Sequence, residues 1–353
     1  VPLRLLPLAA SLLTAFAVTV PAAHAAQGGE RAYNSSHDAT HACSPRVTVD
    51  GFSDQLDKTT FAGVPVAELS GLTHDTNGQL LAVGDDSRLF TLDAKTKKPL
   101  SVRPLTAADG EEVDSEAVAV DRDGTRLIAS ETEPSVLRFA RSGKIIGHLP
   151  VPDALKVAPA GRATDNLTFE GLALMPGGRT LVASMEGALS GDGADIRRFQ
   201  TWQRSGSGTF RLGPQYAFRS DTDLDVSDIT STGDGRLIVL ERSFTPDVGN
   251  TVRLYVADLR HASDVSRVET VTADRPGVRL ATRTLLTDVG ACPSLGAPVK
   301  QPQANPLLDN IEGVTVTGRD RTGRLKLLLV SDDNQRATQI TRLYSLTARL
   351  PRC

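Results

Sequence analysis

Acidic residues recur at fixed places in this chain, and their types and spacing carry its readable chemistry. Five segments open a short apolar run: Leu69-Ser70-Gly71-Leu72, Ser115-Glu116-Ala117-Val118, Phe169-Glu170-Gly171-Leu172, Val226-Ser227-Asp228-Ile229 and Ile311-Glu312-Gly313-Val314. One hairpin later each is followed by a second acidic group: Gly84-Asp85-Asp86, Ser130-Glu131, Ser184-Met185-Glu186, Leu240-Glu241-Arg242 and Ser331-Asp332-Asp333. Like charges brought together raise one another's pKa unless something positive sits among them. That partner is either arginine or a metal ion. Hard carboxylate oxygens suit calcium or a similar cation, which could hold a phosphate or ester oxygen and activate a water.

On this reading the metal ligands are Asp85, Glu116, Glu131, Glu186, Glu241, Asp309, Asp332 and Asp333. A functional site should break the symmetry of a repeat. Two places do so: Glu170 with Glu186, and Asp309-Asn310-Ile311-Glu312 with Ser331-Asp332-Asp333-Asn334. Glu170 and Glu312 are therefore the expected catalytic carboxylates. Arg242 is expected to take the remaining charge of an anionic substrate, and His74, just after the first motif, to face the same channel. The competing reading is structural, because carboxylates repeated in every unit could pair with recurring arginines or accept backbone amides from the next unit. The run Asp221-Thr222-Asp223-Leu224-Asp225 resembles a calcium loop but lacks the glycine and closing glutamate at the required spacing.

The elements that must position these groups are hairpins. Short runs with period-two alternation are separated by Asp75-Thr76-Asn77-Gly78, Asp121-Arg122-Asp123-Gly124, Pro176-Gly177-Gly178 and Gly233-Asp234-Gly235, residues that close tight turns. A third strand ends in arginine beside an aromatic, as in Arg88-Leu89-Phe90, Arg138-Phe139, Arg198-Phe199, Arg253-Leu254-Tyr255 and Arg342-Leu343-Tyr344. With a fourth edge strand, each unit is a four-stranded antiparallel blade, and the fold class is all-β, a β-propeller. The start of strand one lies beside the end of strand two, so both acidic ends reach one face, around the central channel. From Ser70 to Glu116, Glu170, Ser227 and Glu312 the steps are 46, 54, 57 and 85 residues. The last is long enough to hide a degenerate blade around Val268 to Asp288, so six blades are expected, with five plus an insertion as the alternative.

Residues 1–25 read as a signal peptide cut after Ala25, with Arg4, an apolar run from Leu5 to Val20 and then Ala23-His24-Ala25. Residues 26–45 read as a disordered polar tail and 46–353 as the propeller domain. A secreted, extracellular monomer follows, with no membrane span. The formal net charge of −3 offers no basic surface for nucleic acid. In an oxidising compartment the three cysteines allow one bridge; Cys43 with Cys292 is expected because a terminal residue frays, and Cys43 with Cys353 is the alternative. No Gly-x-Ser-x-Gly elbow and no Gly-x-x-x-x-Gly-Lys phosphate loop occurs. His74, His148 and His261 stand at no metal-ligand spacing from one another.

The motifs Thr168-Phe169-Glu170-Gly171-Leu172, Glu131-Thr132-Glu133-Pro134-Ser135, Leu240-Glu241-Arg242, Asp309-Asn310-Ile311-Glu312-Gly313 and Ser331-Asp332-Asp333-Asn334 resemble those of the bacterial phytase-like domain family, also described as having esterase-like activity of the phytase family. The likeness runs from about Val66 to Leu350. It implies an exported propeller that hydrolyses phosphate or other esters of a small-molecule substrate. Together with the carboxylates, the expectation is a secreted, calcium-dependent hydrolase acting at an acidic channel mouth. The alternative is a non-catalytic propeller that binds a ligand or an extracellular partner there, since no nucleophile-and-base pair is evident.

Overall fold

The computed structural model describes residues 40–107, 109–206 and 208–352. The expected leader, the tail up to residue 39 with His37, and Cys353 lie outside the described residues. Short strands, those nearest the axis buried on both faces for most of their length, build five antiparallel four-stranded sheets, with two short 3-10 turns, Asp153–Leu155 and Val289–Ala291, as the helical content of the described residues. From the axis outward, blade 1 comprises Leu69–His74, Leu80–Gly84, Arg88–Leu92 and Pro99–Pro104. Blade 2 comprises Ser115–Val120, Arg126–Ser130, Ser135–Phe139 and Ile145–His148; blade 3, Phe169–Leu174, Thr180–Met185, Ile196–Gln203 and Arg211–Arg219. Blade 4 comprises Asp225–Ser231, Leu237–Thr245, Gly249–Asp258 and Thr282–Asp288. Blade 5 is Ile311–Arg319, Leu325–Ser331 and Leu343–Ala348, completed on its outer edge by Val47–Ser53 from the beginning of the domain.

The inner strands neighbour one another in order, and that of blade 5 meets that of blade 1, so the ring closes with five blades. This corrects the expected six. The long step before Glu312 holds no extra blade, because Thr282–Asp288 is the outer strand of blade 4. Residues 259–281 instead fold over blade 3, where Val265 and Val271 bury against Ile196 and Ala217. Residues 289–310 cross to blade 5. Apolar residues on facing sheets fill the spaces between blades; Leu81, Val83, Val118, Ile128 and Phe139, for example, pack blade 1 on blade 2.

The covalent tie is Cys43–Cys292, as expected, joining the segment before Val47–Ser53 to the crossing after blade 4. It also corrects the expected extent of the tail. His41 Nδ1 bonds to the Val49 carbonyl at 2.8 Å, and Ser44 Oγ donates to the Leu286 carbonyl at 2.6 Å, so residues 41–45 are part of the fold.

Each inner strand carries a β-bulge at the same place, between Leu69/Gly71, Ser115/Ala117, Phe169/Gly171, Val226/Asp228 and Ile311/Gly313. A bulge leaves one residue outside the ladder and re-aims its side chain. The residues so released are Ser70, Glu116, Glu170, Ser227 and Glu312. The inner strands also approach closely there: a Cβ on Gly71 would lie 2.6 Å from the Glu116 carbonyl oxygen, and one on Gly313 the same distance from that of Ser70. In blades 1, 3 and 5 the glycine after the bulge permits that close approach.

Candidate functional site

The bulges and the strand-two ends build one ring. Next to the bulge, the residues following strand two are Asp85, Glu131, Glu186 and Asp332, whose amides bond to the carbonyls of Glu68, Asp114, Thr168 and Asn310. In blade 4 the equivalent position, paired with Asp225, is Arg242. The ten positions therefore hold seven carboxylates (Asp85, Glu116, Glu131, Glu170, Glu186, Glu312, Asp332), two serines (Ser70, Ser227) and one arginine. Asp114 adds an eighth carboxylate at the rim.

Their oxygens converge in three sets, each with its ligand atoms within 4.8 Å of one another: Asp85 with Glu312 and Asp332; Asp114 with Glu116 and Glu131; Glu131 with Glu170 and Glu186. Arg242 Nη2 lies 2.7 Å from Glu312 Oε1 and 3.5 Å from Glu186 Oε1. Asn310 Nδ2 donates to Glu312 Oε1 at 2.9 Å and to Asp332 Oδ2 at 3.3 Å. Ser70 Oγ bonds to Asp85 and, at 3.2 Å, to Glu312 Oε2. Ser227 is buried, and its Oγ has no partner.

Burial, then mutual repulsion, sets the electrostatics. Asp85, Glu116, Glu170 and Asp332 are pushed well above the usual carboxylate range, by desolvation first and by neighbouring ring carboxylates second. Burial raises Glu131 to about 7 and Glu186 to about 8, the latter despite Arg242. Burial alone would lower the Arg242 guanidinium, but Glu312, Glu186, Glu170 and Asp332 outweigh it and hold it above its ordinary value. The ring is thus short of positive charge.

The recurring arginines do not supply it. Arg198 pairs with Asp192, Arg253 with Asp221 and Asp288, and Arg342 with Asp54. Asp221, from the calcium-loop-like run, is held by Arg253, Arg283 and Tyr255, which makes it an ion-pair node. Among the described residues, no lysine, arginine or histidine except Arg242 forms an ion pair with a ring carboxylate.

Of the expected ligands, Asp85, Glu116, Glu131, Glu186 and Asp332 meet in the ring, together with the expected catalytic Glu170 and Glu312 and with Arg242. Four expected site residues do not. Successive strand residues point to opposite faces, so with Arg242 facing the channel its neighbour Glu241 turns away, accepting from Asp221 N at 2.8 Å and Arg283 Nη1 at 3.1 Å. Asp309 accepts from the Asn310 and Ile340 amides, and Asp333 from the Glu68 amide and Lys58 Nζ. These are staples between segments. His74 ends the inner strand Leu69–His74, roughly 13 Å along it from Ser70. It lines a cavity of about 210 Å³ at the other end of the channel with Thr73, Val120, Leu174, Ser231 and Val316.

Asp228 is a fourth staple, with its two oxygens accepting from Ile229 N and Val314 N at 2.7 Å each. Sequence reasoning missed Ser70, Asp114, Ser227 and Asn310 as parts of the site. The signal available was position: Ser70 and Ser227 occupy the bulge register of the three glutamates, and Asp114 and Asn310 immediately precede the inner strands.

The donor set fits a hard cation. It is all oxygen, with no histidine or cysteine among the converging groups, which suits calcium, magnesium or manganese over zinc or copper.

Two solved structures are among those similar to this chain. A gluconolactonase from Xanthomonas campestris is 14% identical over 81% of this chain and 73% of that one, with a TM-score of 0.43. Virginiamycin B lyase from Staphylococcus aureus is 11% identical over 81% and 68%, with a TM-score of 0.37. At these scores they say nothing about chemistry here. An Arthroderma benhamiae protein described as an uncharacterized secreted protein is 26% identical over 117 residues, 26% of this chain and 23% of that one. The matched region is thus under a quarter of that relative's length. No described helix is long and apolar enough to cross a membrane. The family model for phytase-like proteins, described as esterase-like activity of phytase, matches residues 64–335, and the chain belongs to that family.

Proposed function

We propose that the protein is an exported, cation-dependent hydrolase of phosphate or other esters, working as a monomer at the carboxylate ring. The observation that supports this reading is seven carboxylates, six buried and Asp85 half-buried, facing one channel mouth with a single arginine among them. A purely structural ring would be neutralised, as Asp192, Asp54 and Asp221 are elsewhere in this fold. Asp85, Glu116, Glu131, Glu186, Glu312 and Asp332 would hold calcium or a similar ion. Such an ion, when bound, polarises a phosphoryl or carbonyl oxygen and acidifies a coordinated water.

The protein's own groups have complementary work. Arg242, oriented by Glu312 and Glu186, presents its guanidinium to the anionic oxygens of a substrate. Asn310 fixes the Glu312 and Asp332 carboxylates, so that they do not reorganise during turnover. Glu170, buried among acids, is placed to exchange a proton with an attacking water or a departing alkoxide. The secreted relative, together with a disulfide, which forms in oxidising compartments, supports the extracellular placement.

The decisive experiment pairs chelation and calcium, magnesium or manganese add-back with turnover of a phosphate-ester and a carboxylate-ester dye. Turnover that disappears with chelator, returns with cation and falls by orders of magnitude in Glu170→Gln and Glu312→Gln supports the reading. Cation binding without turnover of any ester would instead make the ring a ligand-binding site.

A further inference from the structure

Blade 4 differs from the others above the ring. In blades 1, 2, 3 and 5 the second strand stops at Gly84, Ser130, Met185 and Ser331, one residue short of the ring position. In blade 4 it runs to Thr245, three residues past Arg242, and pairs without a break with the strand beginning at Gly249. A two-stranded wall therefore stands beyond the acidic mouth on one side of it. Phe244 lies two residues past Arg242 on the same face of the strand, about 7 Å further out. It is 51% exposed, and Val248 at the turn is 56% exposed.

The wall is braced from behind. Asn250, directly across from Phe244, donates its backbone N–H to Gln303 Oε1 at 2.8 Å, and Gly249 lies so close to Pro302 that a Cβ there would meet its carbonyl oxygen at 2.6 Å. An exposed aromatic held on a fixed backbone loses little entropy on contact with a ligand. The Asn250 side chain is buried, and neither its Oδ1 nor its Nδ2 has a partner. A donor, an acceptor and an apolar surface thus sit together beside the one arginine of the ring.

We infer that this hairpin is the substrate-selecting wall of the site, and that the substrate is an ester whose oxyanionic head meets the ring and Arg242 while an apolar, aromatic body lies on Phe244 and Val248. The inference rests on the hydrolase reading for the position of the head. It goes beyond that reading in excluding a substrate charged on every side, such as a fully phosphorylated polyol, as the preferred one.

The test compares kcat/KM for 1-naphthyl phosphate and glycerol phosphate in the calcium-loaded full chain and in Phe244→Ser and Val248→Ser, both at exposed positions where the fold makes no demand. A second arm titrates 1-naphthylphosphonate and methylphosphonate by calorimetry, which needs no turnover. The naphthyl-to-glycerol ratio should fall about tenfold in Phe244→Ser, the scale of one lost aromatic contact, and naphthylphosphonate should bind correspondingly more weakly. An unchanged ratio overturns the wall and leaves the hydrolase standing. If no ester turns over in the unmodified protein, the hydrolase reading fails, and the phosphonates alone decide. Naphthylphosphonate binding that weakens in Phe244→Ser upholds the wall; no binding, or binding indifferent to the change, overturns it.

Discussion

Arg242 Nη2 sits 2.7 Å from Glu312 Oε1, in the one ring position where the other four blades carry an acid. Blade 4 also has Ser227 where three blades have glutamate. The ring is therefore lopsided, with its positive side on blade 4 and its carboxylates concentrated across blades 2, 3, 5 and 1. That asymmetry separates a site from a set of staples.

Removing the arginine should expose the imbalance. In Arg242→Gln, Glu312 and Glu186 lose their cation, and breaking such a buried pair costs about 3 kcal/mol. In chelator the thermal midpoint should fall. Calcium should then restore more stability than it adds to the unmodified protein, while KM for an anionic ester rises. A midpoint unchanged in chelator would mean that the pair contributes nothing, and would remove the case for charge shortage.

Stability of the cation-free protein should fall as pH rises. Glu131 and Glu186 have folded-state pKa values raised to about 7 and about 8, chiefly by burial. Between the ordinary carboxylate value and these, the folded state holds protons that the unfolded chain has lost. The slope is therefore negative, at roughly 1.4 kcal/mol per pH unit for each such proton. Thermal scans from pH 5 to pH 8 in chelator should show a falling midpoint, and calcium should flatten or reverse the trend by replacing protons. A midpoint that climbs over this range without cation contradicts the charge-short ring.

The disulfide should matter through the closure of the ring. Val47–Ser53 completes blade 5, and Cys43, just before it, is bonded to Cys292 across a sequence separation of 249. Cys292→Ser should lower stability by about 2–4 kcal/mol. Loosening should begin at the outer edge of blade 5, read as faster amide exchange in residues 47–53 than in the inner strands.

Most of the architecture was legible because the physics repeats. Turn glycines, period-two runs and the Arg-aromatic third strands recur with each blade, and they gave the propeller, the shared face and the acidic mouth. The blade number was not legible. An 85-residue step can hold a sheet or a loop, and only the burial of Val265 and Val271 on blade 3 decides between them. Glu241 differs for a related reason: blade 4 carries its acid one residue before the ring position that Arg242 fills, and one residue exchanges the channel face for the blade interior. Asp309 and Asp333 group with the ligands in sequence because sequence shows a carboxylate's proximity to a motif but not which backbone amides it satisfies.

A comparison of Asp228 with Glu116 should divide staples from ring. Asp228 is buried on the inner strand of blade 4 and caps amides of its own strand and of Val314 in blade 5. Asp228→Ala would leave those N–H groups without partners, at about 1–3 kcal/mol each, yet it touches no ring carboxylate. Its midpoint should drop while the calcium-induced rise stays the same size. Glu116→Gln should behave in the opposite way. Desolvation, then Asp85, Glu131 and Glu312, push Glu116 upward, so at alkaline pH, where the carboxyl ionises against its neighbours, a neutral amide relieves repulsion, and the cation-free protein should gain stability there while its response to calcium shrinks. If both variants lost stability and both kept the calcium response, Glu116 would be a staple like Asp228, and the ring would be a device for holding blades together.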